Sequence, residues 1–430
     1  MKQYDTYKDS GVQWLGEIPG HWECTSLGRV LYEKLQYGAS ESGDLEYTND
    51  SMRYIRITDI TLDGKLKKDC CKYLSSEIGK NYPVRKGDVL LARSGATVGK
   101  AFIYNEDHEA CYAGYLIKAS IQQDKVVPTF FFYFTQTSQY DEWKNRIFIQ
   151  ATIQNISAEK YTRMKLCIPP LSEQRSIVSF LDAKCGKIDE WVTKKQKEVE
   201  HLQELKQCVI ADAVTRGLNP HVKMKTTNIP WLKEIPEHWE NKRLAAMFTD
   251  DIETNKDFQY KRAFKFNYGC LVPKNEIGDP EEYRDVYVKY SIVNTGDILI
   301  NGLNLNYDFI SQRVACAPSD GIITSAYVVC RPRPNVNYDY YTYLFKAMDS
   351  MKLFHGMGTG IRLTLSFKEL KKQILPVPPI EEQRAIVMFI NDKTSKIDKL
   401  IANIAKEIEC IKEYKQRLIS DVVTGQIKVC

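Results

Sequence analysis

The chain has 430 residues, of which 43% are hydrophobic and 27% are charged, and it contains no low-complexity tract. This composition excludes a disordered or fibrous protein, and the length exceeds one ordinary core, so two or three folded domains are expected. The net charge of +5 is too small to indicate a nucleic-acid partner by itself.

The N-terminal segment and the cysteines indicate the compartment. The first ten residues are polar, and the most apolar stretch, residues 130–134, is far shorter than a membrane span. The 12 cysteines are irregularly spaced without a C-x-x-C pair, so free thiols are expected rather than disulfides or a zinc site. We therefore expect a cytoplasmic protein with no membrane partner and no bound metal.

The first motif along the chain is WLGEIPGHWE at residues 14–23. It returns as WLKEIPEHWE at residues 231–240 with eight of ten positions identical, which reveals an internal repeat. Each copy carries a histidine directly before the last tryptophan, His21 in the first and His238 in the second. For this pair we expect a hydrogen-bonded structural role rather than a catalytic one.

The segments that follow the two motifs, about 24–167 and 241–376, read as mixed α and β structure. Short β-rich runs, among them MRYIRITDI, GDVLLA and YLIKASI in the first segment and GDILIN and SAYVVCRP in the second, are separated by Gly, Asn and Asp turns. Aromatic stretches at residues 128–135 and 338–345 are predicted to be helices that pack against each sheet.

Two features of the first segment bear on phosphate binding. Residues 51–100 hold 11 Lys or Arg against 5 Asp or Glu, which makes this stretch a candidate phosphate-contacting surface. Within it, GATVGK at residues 95–100 resembles a nucleotide-binding loop, but it is one residue short and has Ala101 where the magnesium-binding hydroxyl belongs. An ordinary glycine-bearing turn after strand GDVLLA, carrying Arg93 and Lys100, is the simpler interpretation, and such a turn also suits a loop that contacts phosphates.

Long helices are predicted after the double prolines at residues 169–170 and 378–379. Residues 168–189 match residues 377–398 at 12 of 22 positions, and apolar residues then follow in alternating steps of four and three, as in a coiled coil. A lysine interrupts this seam at the same register in each copy, Lys206 and Lys415.

The two long helices are expected to pair with each other. Because they belong to repeats in one chain, a pseudo-twofold antiparallel pairing closes the structure most simply, and the sequence alone leaves the parallel direction open. The alternative is that each is an amphipathic helix packed on its own domain. Each helix is predicted to have about 45 residues, or about 65 Å at 1.5 Å per residue. This is too long for a helix packed only on its own domain, which argues against the alternative.

The repeats share their ends and differ in their middles. This pattern suits one scaffold that displays two different recognition surfaces better than a duplicated active site, which would keep its reactive residues in both copies. Neutral drift of a structural duplication is the alternative.

Two W-L-x-E-I-P-x-H-W motifs, two P-P-x-x-E-Q-R helix starts and two variable segments, in this order, resemble the specificity subunit of type I restriction-modification enzymes over essentially the whole chain. The resemblance implies an α+β protein in which two mixed α/β target-recognition domains are joined by two long antiparallel coiled-coil helices with a pseudo-twofold repeat. It also implies double-stranded DNA as a partner, each domain reading half of a split target. Two methylation subunits would dock on the frame, and restriction subunits would join them.

On this basis the chain divides into four parts. The expected bounds are 1–167 for the first recognition domain, 168–222 for the first helical spacer, 223–376 for the second recognition domain and 377–430 for the second spacer.

Base edges are read by Arg, Lys, Asn, Gln and Thr on elements that face a groove. An ordinary exposed polar role is the alternative for each candidate, and the family motifs do not reach these variable segments. The candidates are Arg93, Ser94, Lys100, Gln150, Thr152, Gln154 and Asn155 in the first domain, and Asn301, Asn304, Asn306, Arg362 and Thr364 in the second.

Catalytic motifs are missing from the sequence. There is no Asn-Pro-Pro-aromatic tetrapeptide of an amino-methyltransferase and no G-x-G-x-x-G after a predicted strand, so we expect a non-enzymatic chain without a cofactor. Two other functions remain open: a fused methylase-nuclease with unrecognised motifs, and a protein scaffold that does not bind DNA. The repeats fill the chain and leave no room for a catalytic domain of about 150 residues, which disfavours the first.

Overall fold

A computed structural model describes residues 2–43, 46–61, 66–67, 69, 71–95, 97–149, 154–274, 279–309, 312–360 and 363–429. The chain forms two compact units. Unit 1 contains Met1–Lys195 and Ala405–Cys430, and unit 2 contains Gln196–Ile404. Each long helix contributes one part to unit 1 and the other part to unit 2.

Unit 1 is built mainly from short strands. They are β1 (Tyr7–Asp9), β2 (Glu17–Pro19), β3 (Glu23–Ser26), β4 (Gln36–Tyr37), β5 (Ser51–Ile55), β6 (Lys72–Ser75), β7 (Pro83–Val84), β8 (Val89–Ala92), β9 (Ala101–Ile103), β10 (Ala110–Tyr112), β11 (Leu116–Ala119) and β12 (Lys165–Ile168). The helices are α1 (Ser76–Gly79), α2 (Pro128–Phe134), α3 (Ser138–Ile149), α4 (Ala158–Arg163) and the long α5 (Leu171–Arg216), with short 3-10 turns at Leu27–Arg29 and Ile57–Asp59.

Unit 2 contains a matching set of elements. Its strands are β13 (Met224–Ile229), β14 (Leu232–Pro236), β15 (Glu240–Arg243), β16 (Phe248–Thr249), β17 (Phe264–Asn267), β18 (Cys270–Pro273), β19 (Ser291–Val293), β20 (Ile298–Ile300), β21 (Val314–Cys316), β22 (Gly321–Ile323), β23 (Val328–Pro332) and β24 (Ile374–Val377). The helices are α6 (Leu244–Met247), α7 (Arg284–Tyr287), α8 (Tyr338–Ser350), α9 (Phe367–Leu370) and the long α10 (Ile380–Val423), with 3-10 turns at Pro280–Tyr283 and Leu353–Gly356.

The two units share most of their strand pairings. The exception is the four-stranded sheet β6-β5-β10-β7 of unit 1, whose counterparts in unit 2 are the separate pairs β17-β18 and β19-β22. Unit 1 has a sheet in the order β4-β11-β8-β9, and unit 2 has β16-β23-β20-β21, which is the same order with every strand number raised by twelve. The pairs β1-β2 and β3-β12 correspond in the same way to β13-β14 and β15-β24. The internal repeat therefore extends through the dissimilar middle segments as a conserved backbone arrangement, and the prediction of a mixed α/β fold is confirmed.

The central strands begin at a repeated turn. Gly87 and Gly296 have φ values of +92° and +88°, a region that favours glycine. The aspartate after each glycine caps its turn, since Asp88 Oδ2 accepts a hydrogen bond from Arg85 N at 2.8 Å and Asp297 Oδ2 accepts one from Asn294 N, also at 2.8 Å. The shared G-D dipeptide thus sets where β8 and β20 begin.

Helices cover the sheets where the aromatic stretches predicted them. Helix α2 begins at a proline, whose missing N–H is not needed in the first turn, and it buries Phe130, Phe131 and Phe134. Helix α8 is capped by Asn337, whose side chain accepts a hydrogen bond from Tyr340 N at 3.2 Å. Buried aromatic rings from these helices form much of the core of each unit.

Helices α5 and α10 have 46 and 44 residues, close to the predicted length. In unit 1, Leu418 and Val422 near the end of α10 share a core with Leu181 and Ile177 near the start of α5. In unit 2, Ala213 and Val214 near the end of α5 share a core with Ile386 and Ile390 near the start of α10. Within each unit the two helices therefore run antiparallel, as predicted.

Candidate nucleic-acid interface

Both repeated motifs meet at one side-chain cluster in each unit. In unit 1 the Glu173 carboxylate accepts hydrogen bonds from Trp22 Nε1 at 3.1 Å and Tyr4 Oη at 2.5 Å, and it lies 2.8 Å from His21 Nε2. Glu173 is the glutamate of the first E-Q-R sequence. This His-Trp-Glu cluster joins the first motif to the start of α5 and confirms the hydrogen-bonded role predicted for the histidine.

The His-Trp-Glu cluster recurs in unit 2. The Glu382 carboxylate lies 2.7 Å from His238 Nε2 and accepts a hydrogen bond from Trp239 Nε1 at 3.0 Å. Both tryptophans are fully buried. The equivalence explains why the two copies of these short motifs have nearly the same sequence, because each holds the body of its unit on the first turn of a long helix.

The pKa of Glu173 reflects competing effects. Burial acts to raise the pKa, and the hydrogen bonds from Tyr4, His21 and Trp22 act to lower it. The hydrogen bonds prevail, so the pKa lies below the usual glutamate value and the carboxylate is held ionised. A negative charge in the first turn of α5 also interacts favourably with the helix dipole.

The glutamine of each E-Q-R sequence completes the junction. Gln174 is fully buried, donates through Nε2 to the carbonyl oxygen of Pro169 at 2.8 Å and accepts a hydrogen bond from Val127 N at 2.8 Å. Gln383 makes the corresponding bond to the carbonyl oxygen of Pro378 at 2.8 Å. The hydrogen bond to the proline before each long helix is thus common to both units. The hydrogen bond from the variable segment, donated by Val127 N, occurs in unit 1, whereas Gln383 Oε1 has no hydrogen-bond partner among the described residues.

In unit 1 the β8–β9 loop lies beside the segment that precedes α4. Ser94 and Asn155 form an isolated antiparallel bridge, and Ile156 N donates to the carbonyl oxygen of Arg93 at 2.9 Å. We define the first loop surface as the described residues of 93–100 and 154–156. It brings Arg93, Ser94, Gln154 and Asn155 together, although about 60 residues separate the two stretches.

Arg93 is held in place within the first loop surface. Its guanidinium lies 4.7 Å from the centre of the Tyr37 ring, and the Tyr37 hydroxyl accepts a hydrogen bond from Ala158 N at 3.0 Å. The backbone N of Arg93 donates to the carbonyl oxygen of Tyr115, an exposed tyrosine, at 3.0 Å. The fixed, half-buried guanidinium retains the planar set of donors that suits a guanine edge or a phosphate.

Lys100 lies at the far end of the same loop and is exposed. The loop backbone is anchored there by Tyr140, whose hydroxyl donates to the carbonyl oxygen of Gly99 at 2.8 Å. The GATVGK stretch is therefore a short connection between antiparallel strands, and a helix does not follow it as in a nucleotide-binding loop.

Unit 2 makes the corresponding arrangement with the β20–β21 loop. Leu365 N donates to the carbonyl oxygen of Gly302 at 2.9 Å, and Leu305 N donates to the carbonyl oxygen of Leu363 at 3.3 Å. We define the second loop surface as residues 301–308 and 363–365. It brings Asn301, Asn304 and Asn306 next to Thr364, again just before a short helix.

The candidates in the second loop surface differ in environment. Asn301 Oδ1 accepts a hydrogen bond from Leu303 N at 3.2 Å, so this side chain helps to shape the loop. Asn304 is exposed, with a φ of +52° that asparagine tolerates better than most residues. Asn306 is half-buried and Thr364 is exposed. Asn304 and Thr364 are therefore the most accessible candidates of this surface.

Three further candidates, Gln150, Thr152 and Arg362, lie outside the described residues. They belong to the two stretches that adjoin the loop surfaces. Their assignment stays a prediction.

Exposed aromatic residues near the loop surfaces were not among the sequence candidates. Tyr115 is 68% exposed and Tyr307 is 80% exposed, which is unusual for large rings. Phe309, 53% exposed, stacks on His355 with ring centres 4.7 Å apart. Such rings can contact sugars and unstacked bases. The sequence signal for Tyr307 and Phe309 is an aromatic residue in a loop between two predicted strands, whereas Tyr115 begins the predicted β-rich run YLIKASI and gave no such signal.

Several basic residues of the 51–100 stretch have local partners. Arg56 is paired with Asp59 at 2.8 Å and Lys86 with Asp107 at 2.7 Å, while Arg53 donates to the carbonyl oxygen of Lys67 at 2.6 Å. Asp107 lies outside the stretch and so offsets one of its excess positive charges, whereas Asp59 is already one of the five acidic residues of the stretch. Its use as a phosphate-contacting surface stays a prediction.

The described residues also bear on two other kinds of feature, a metal site and a membrane-spanning helix. They contain no group of three or more His, Cys, Asp or Glu side chains placed to hold a metal ion. No helix among them is both long and apolar enough to cross a membrane.

Comparison with known sequences identifies two matching stretches. Residues 22–201 and 236–410 each match the type I restriction modification DNA specificity domain. The putative type I restriction enzyme MjaX specificity subunit of Methanocaldococcus jannaschii is 24% identical over 433 residues, covering 96% of both chains. The EcoBI specificity subunit of Escherichia coli is 22% identical, covering 90% of this chain and 83% of its own.

Solved structures with a similar fold come from the same class of proteins. A chain from a study of complex assembly and conformational transition in the type I R-M system aligns with a TM-score of 0.69 and 16% identity, over 95% of this chain and 99% of its own. The HsdS subunit from Thermoanaerobacter tengcongensis aligns with a TM-score of 0.51 and 17% identity, over 95% and 98%.

Proposed function

The chain belongs to the type I restriction-modification DNA specificity family, and from this premise we propose that it reads the DNA target and positions catalytic partners. The partners are double-stranded DNA, two methylation subunits and, in the full complex, restriction subunits. Because DNA and these enzymes meet in the cytoplasm, the chain works there.

One observation carries the proposal: a single framework presents two different loop surfaces. The His-Trp-Glu cluster and the strand order recur in both units, while the first loop surface offers Arg93, Ser94 and Asn155 and the second offers Asn304 and Thr364. Base edges are distinguished by such donors and acceptors in the major groove. Two unlike surfaces therefore read two unlike half-sites of a split target.

The long helices supply the spacing and the docking face. Residues 168–222 and 377–430 act as spacers, and residues 1–167 and 223–376 act as recognition domains. Outside the paired seam, α5 and α10 carry many exposed charged residues, and methylation subunits with complementary charge would dock on this face.

The chain contributes no catalysis of its own under this proposal. Methylation of a base requires that it be flipped out of the duplex into a pocket that also holds the methyl donor. The methylation subunits supply that pocket, and the specificity subunit holds the target sequence against it. The chain itself needs no cofactor.

The test is methylation mapping of a reconstituted complex. The chain is combined with its methylation subunit, and methylated adenines are located by sequencing in genomic DNA. Residues 24–167 are then exchanged for the same segment of a relative. We expect one half of the methylated sequence to change and the other half to stay intact, because each unit has its own loop surface.

Two controls separate the alternatives. The chain alone, given DNA and S-adenosylmethionine, transfers no methyl group under this proposal, and methylation in stoichiometric amounts would favour a fused enzyme. A gel-shift with the methylation subunit, repeated at raised salt, detects sequence-specific binding. A complex without such binding would favour a protein scaffold, and a change in both half-sites would contradict the modular assignment.

A further inference from the structure

Unit 2 contains a fully buried arginine at the end of the β20–β21 loop. Arg313 directly precedes β21, and its side chain has no exposed area. Arginine is among the residues that are least often fully buried, because the charge loses its hydration. A guanidinium in such a place needs several hydrogen bonds in compensation.

The hydrogen bonds of this guanidinium go to the loop backbone. Nη1 donates to the carbonyl oxygens of Asn301 at 2.9 Å and Leu303 at 2.8 Å, and Nη2 donates to the carbonyl oxygen of Asp308 at 2.6 Å. The Asp308 carboxylate lies farther away, at 3.7 Å. One planar group thus connects both ends of the loop.

Further contacts fix the arginine itself. Its backbone N donates to Asp349 Oδ2 of α8 at 2.7 Å, and its carbonyl oxygen accepts a hydrogen bond from Asn301 N at 2.8 Å. Helix α8 belongs to the core of unit 2. The loop is therefore tied through Arg313 to a rigid part of the unit.

The three carbonyl acceptors enclose the accessible part of the second loop surface. Asn304 and Asn306 lie between Leu303 and Asp308, together with the exposed ring of Tyr307. Side chains that read bases must be held to within about 0.5 Å of their productive geometry. The backbone that carries these side chains depends on Arg313 for its shape.

We propose that Arg313 is a positioning residue for the reading of the second half-site, acting through the loop backbone without touching DNA. The inference rests on the proposed function. In unit 1 the position before β9 is Lys100, which is exposed, and the loop is anchored there by Tyr140. The effect of changing Arg313 is therefore confined to one half of the target.

The experiment uses the full chain with its methylation subunit and compares Arg313→Met, Arg313→Lys and Leu375→Ala. Methionine fills much of the volume without donors, whereas lysine keeps the charge and some donor capacity but not the planar fork. Leu375 is fully buried in β24, away from the loop in sequence, and its truncation serves as a control for destabilisation alone. Thermal unfolding confirms that each variant is folded at the assay temperature.

The readout is methylation at sites with one substituted base pair in either half. For Arg313→Met we expect discrimination in the second half-site to fall by roughly tenfold, the effect of losing one well-placed base contact, with the first half-site unchanged. The discrimination of Arg313→Lys in the second half-site should lie between that of Arg313→Met and that of the unaltered chain. Leu375→Ala should keep full discrimination. If Arg313→Met does not fold, Arg313→Lys carries the test.

Two results would overturn the inference. One is a folded Arg313→Met or Arg313→Lys variant with unaltered discrimination, and the other is an equal loss of discrimination in Leu375→Ala. The proposed function fails separately, when exchange of residues 24–167 leaves both halves of the methylated sequence unchanged. An Asn304→Ala variant reports on the second loop surface independently of Arg313.

Discussion

Glu173 concentrates several hydrogen bonds on one carboxylate at the junction between recognition unit and long helix. Its Oε1 accepts from both Tyr4 and Trp22, and its Oε2 faces His21. Glu382 is the corresponding glutamate of unit 2. Among the described residues, its side chain has two hydrogen-bond partners, His238 and Trp239. Loss of the carboxylate charge should therefore lower the free energy of unfolding more at Glu173 in unit 1 than at Glu382 in unit 2.

The first prediction is that Glu173→Gln lowers the free energy of unfolding by about 2 kcal/mol at neutral pH, the usual worth of hydrogen bonds to a charged group. Folding lowers the pKa of Glu173 from its ordinary value of 4.5. The ionised carboxylate therefore stabilises the folded protein above pH 4.5, and this contribution is lost as the pH falls through the pKa of the folded state. The free energy of unfolding of Glu173→Gln and of the unaltered protein is measured with urea at pH 7 and at acid pH. The difference between the two proteins should be smaller at acid pH. Glu382→Gln is the matched comparison, and a difference independent of pH would contradict the assignment.

A second residue-scale feature is a pair of thiols. Cys24 and Cys167 are directly opposite each other across the antiparallel strands β3 and β12. The hydrogen bond from the Cys167 thiol is the main cause that lowers the pKa of Cys24 to about 7, against the effect of burial and with help from Lys165 and Lys8. The pKa of Cys167 is raised. The corresponding positions of unit 2 hold Asn241 and Pro376.

The second prediction concerns alkylation of Cys24. Because the thiolate is the nucleophile, site-resolved labelling by iodoacetamide should rise through about pH 7, below the range of about 8.5 for an ordinary thiol. In Cys167→Ala the hydrogen bond is lost, and the labelling profile should move to higher pH. Exposed Cys410 provides an internal reference in the same sample. A Cys24 profile that coincides with that reference would refute the prediction.

At the scale of elements, the lysines that interrupt the coiled-coil seam have partners on the opposite helix. Lys415 Nζ lies 2.6 Å from Asp189 Oδ1 in unit 1, and Lys206 Nζ lies 2.7 Å from Asp398 Oδ1 in unit 2. Each aspartate is the last residue of the repeated 22-residue motif. Polar residues in a seam restrict a coiled coil to the register in which they are paired.

The third prediction is a coupling between these charges. Lys415→Asp should destabilise the protein, and adding Asp189→Lys should recover most of the loss, giving a coupling energy of about 1 kcal/mol in a double-mutant cycle because both side chains are partly exposed. The coupling should weaken at raised salt. The well-exposed pair Arg163 and Glu159 is the control, for which we expect coupling near zero. Equal coupling in both pairs would show that the seam position has no special effect.

At the scale of the whole molecule, most strand pairings of one unit recur in the other, and each long helix passes from one unit to the other. Under the proposed function the helices act as a ruler between two readers. Their length then determines the number of unread base pairs and leaves the identity of the read bases unchanged.

The fourth prediction tests the ruler by adding one heptad to both helices, after Lys195 in α5 and after Ile404 in α10, at the bounds of the two units. Seven residues preserve the seam, whereas other lengths shift it. The frame grows by about 10 Å at 1.5 Å per residue, or about three base pairs at 3.4 Å each. Methylation mapping should show the same half-sites with a spacer longer by about three base pairs. The control is a heptad inserted in α5 alone, which removes the pairing between α5 and α10. An unchanged spacer in the double insertion would exclude the hypothesis that helix length sets the number of unread base pairs.

The sequence alone was sufficient for whatever depends on local pattern. Apolar spacing predicted α5 and α10, the β-rich runs GDVLLA and GDILIN predicted β8 and β20, and the repeated motifs revealed the duplication. These features follow from interactions between residues that are near each other in the chain, or from a comparison of the chain with itself.

Only the tertiary structure decided which distant residues meet. It placed Asn155 beside Ser94, Asp189 beside Lys415, and Glu173 against His21 and Trp22. It also buried Arg313 beneath a loop where the sequence suggests only one more basic residue. The physical reason is that such contacts depend on how packed strands and helices bring separate segments together, and the free energy of desolvating a charge is set by that packing rather than by its neighbours in sequence.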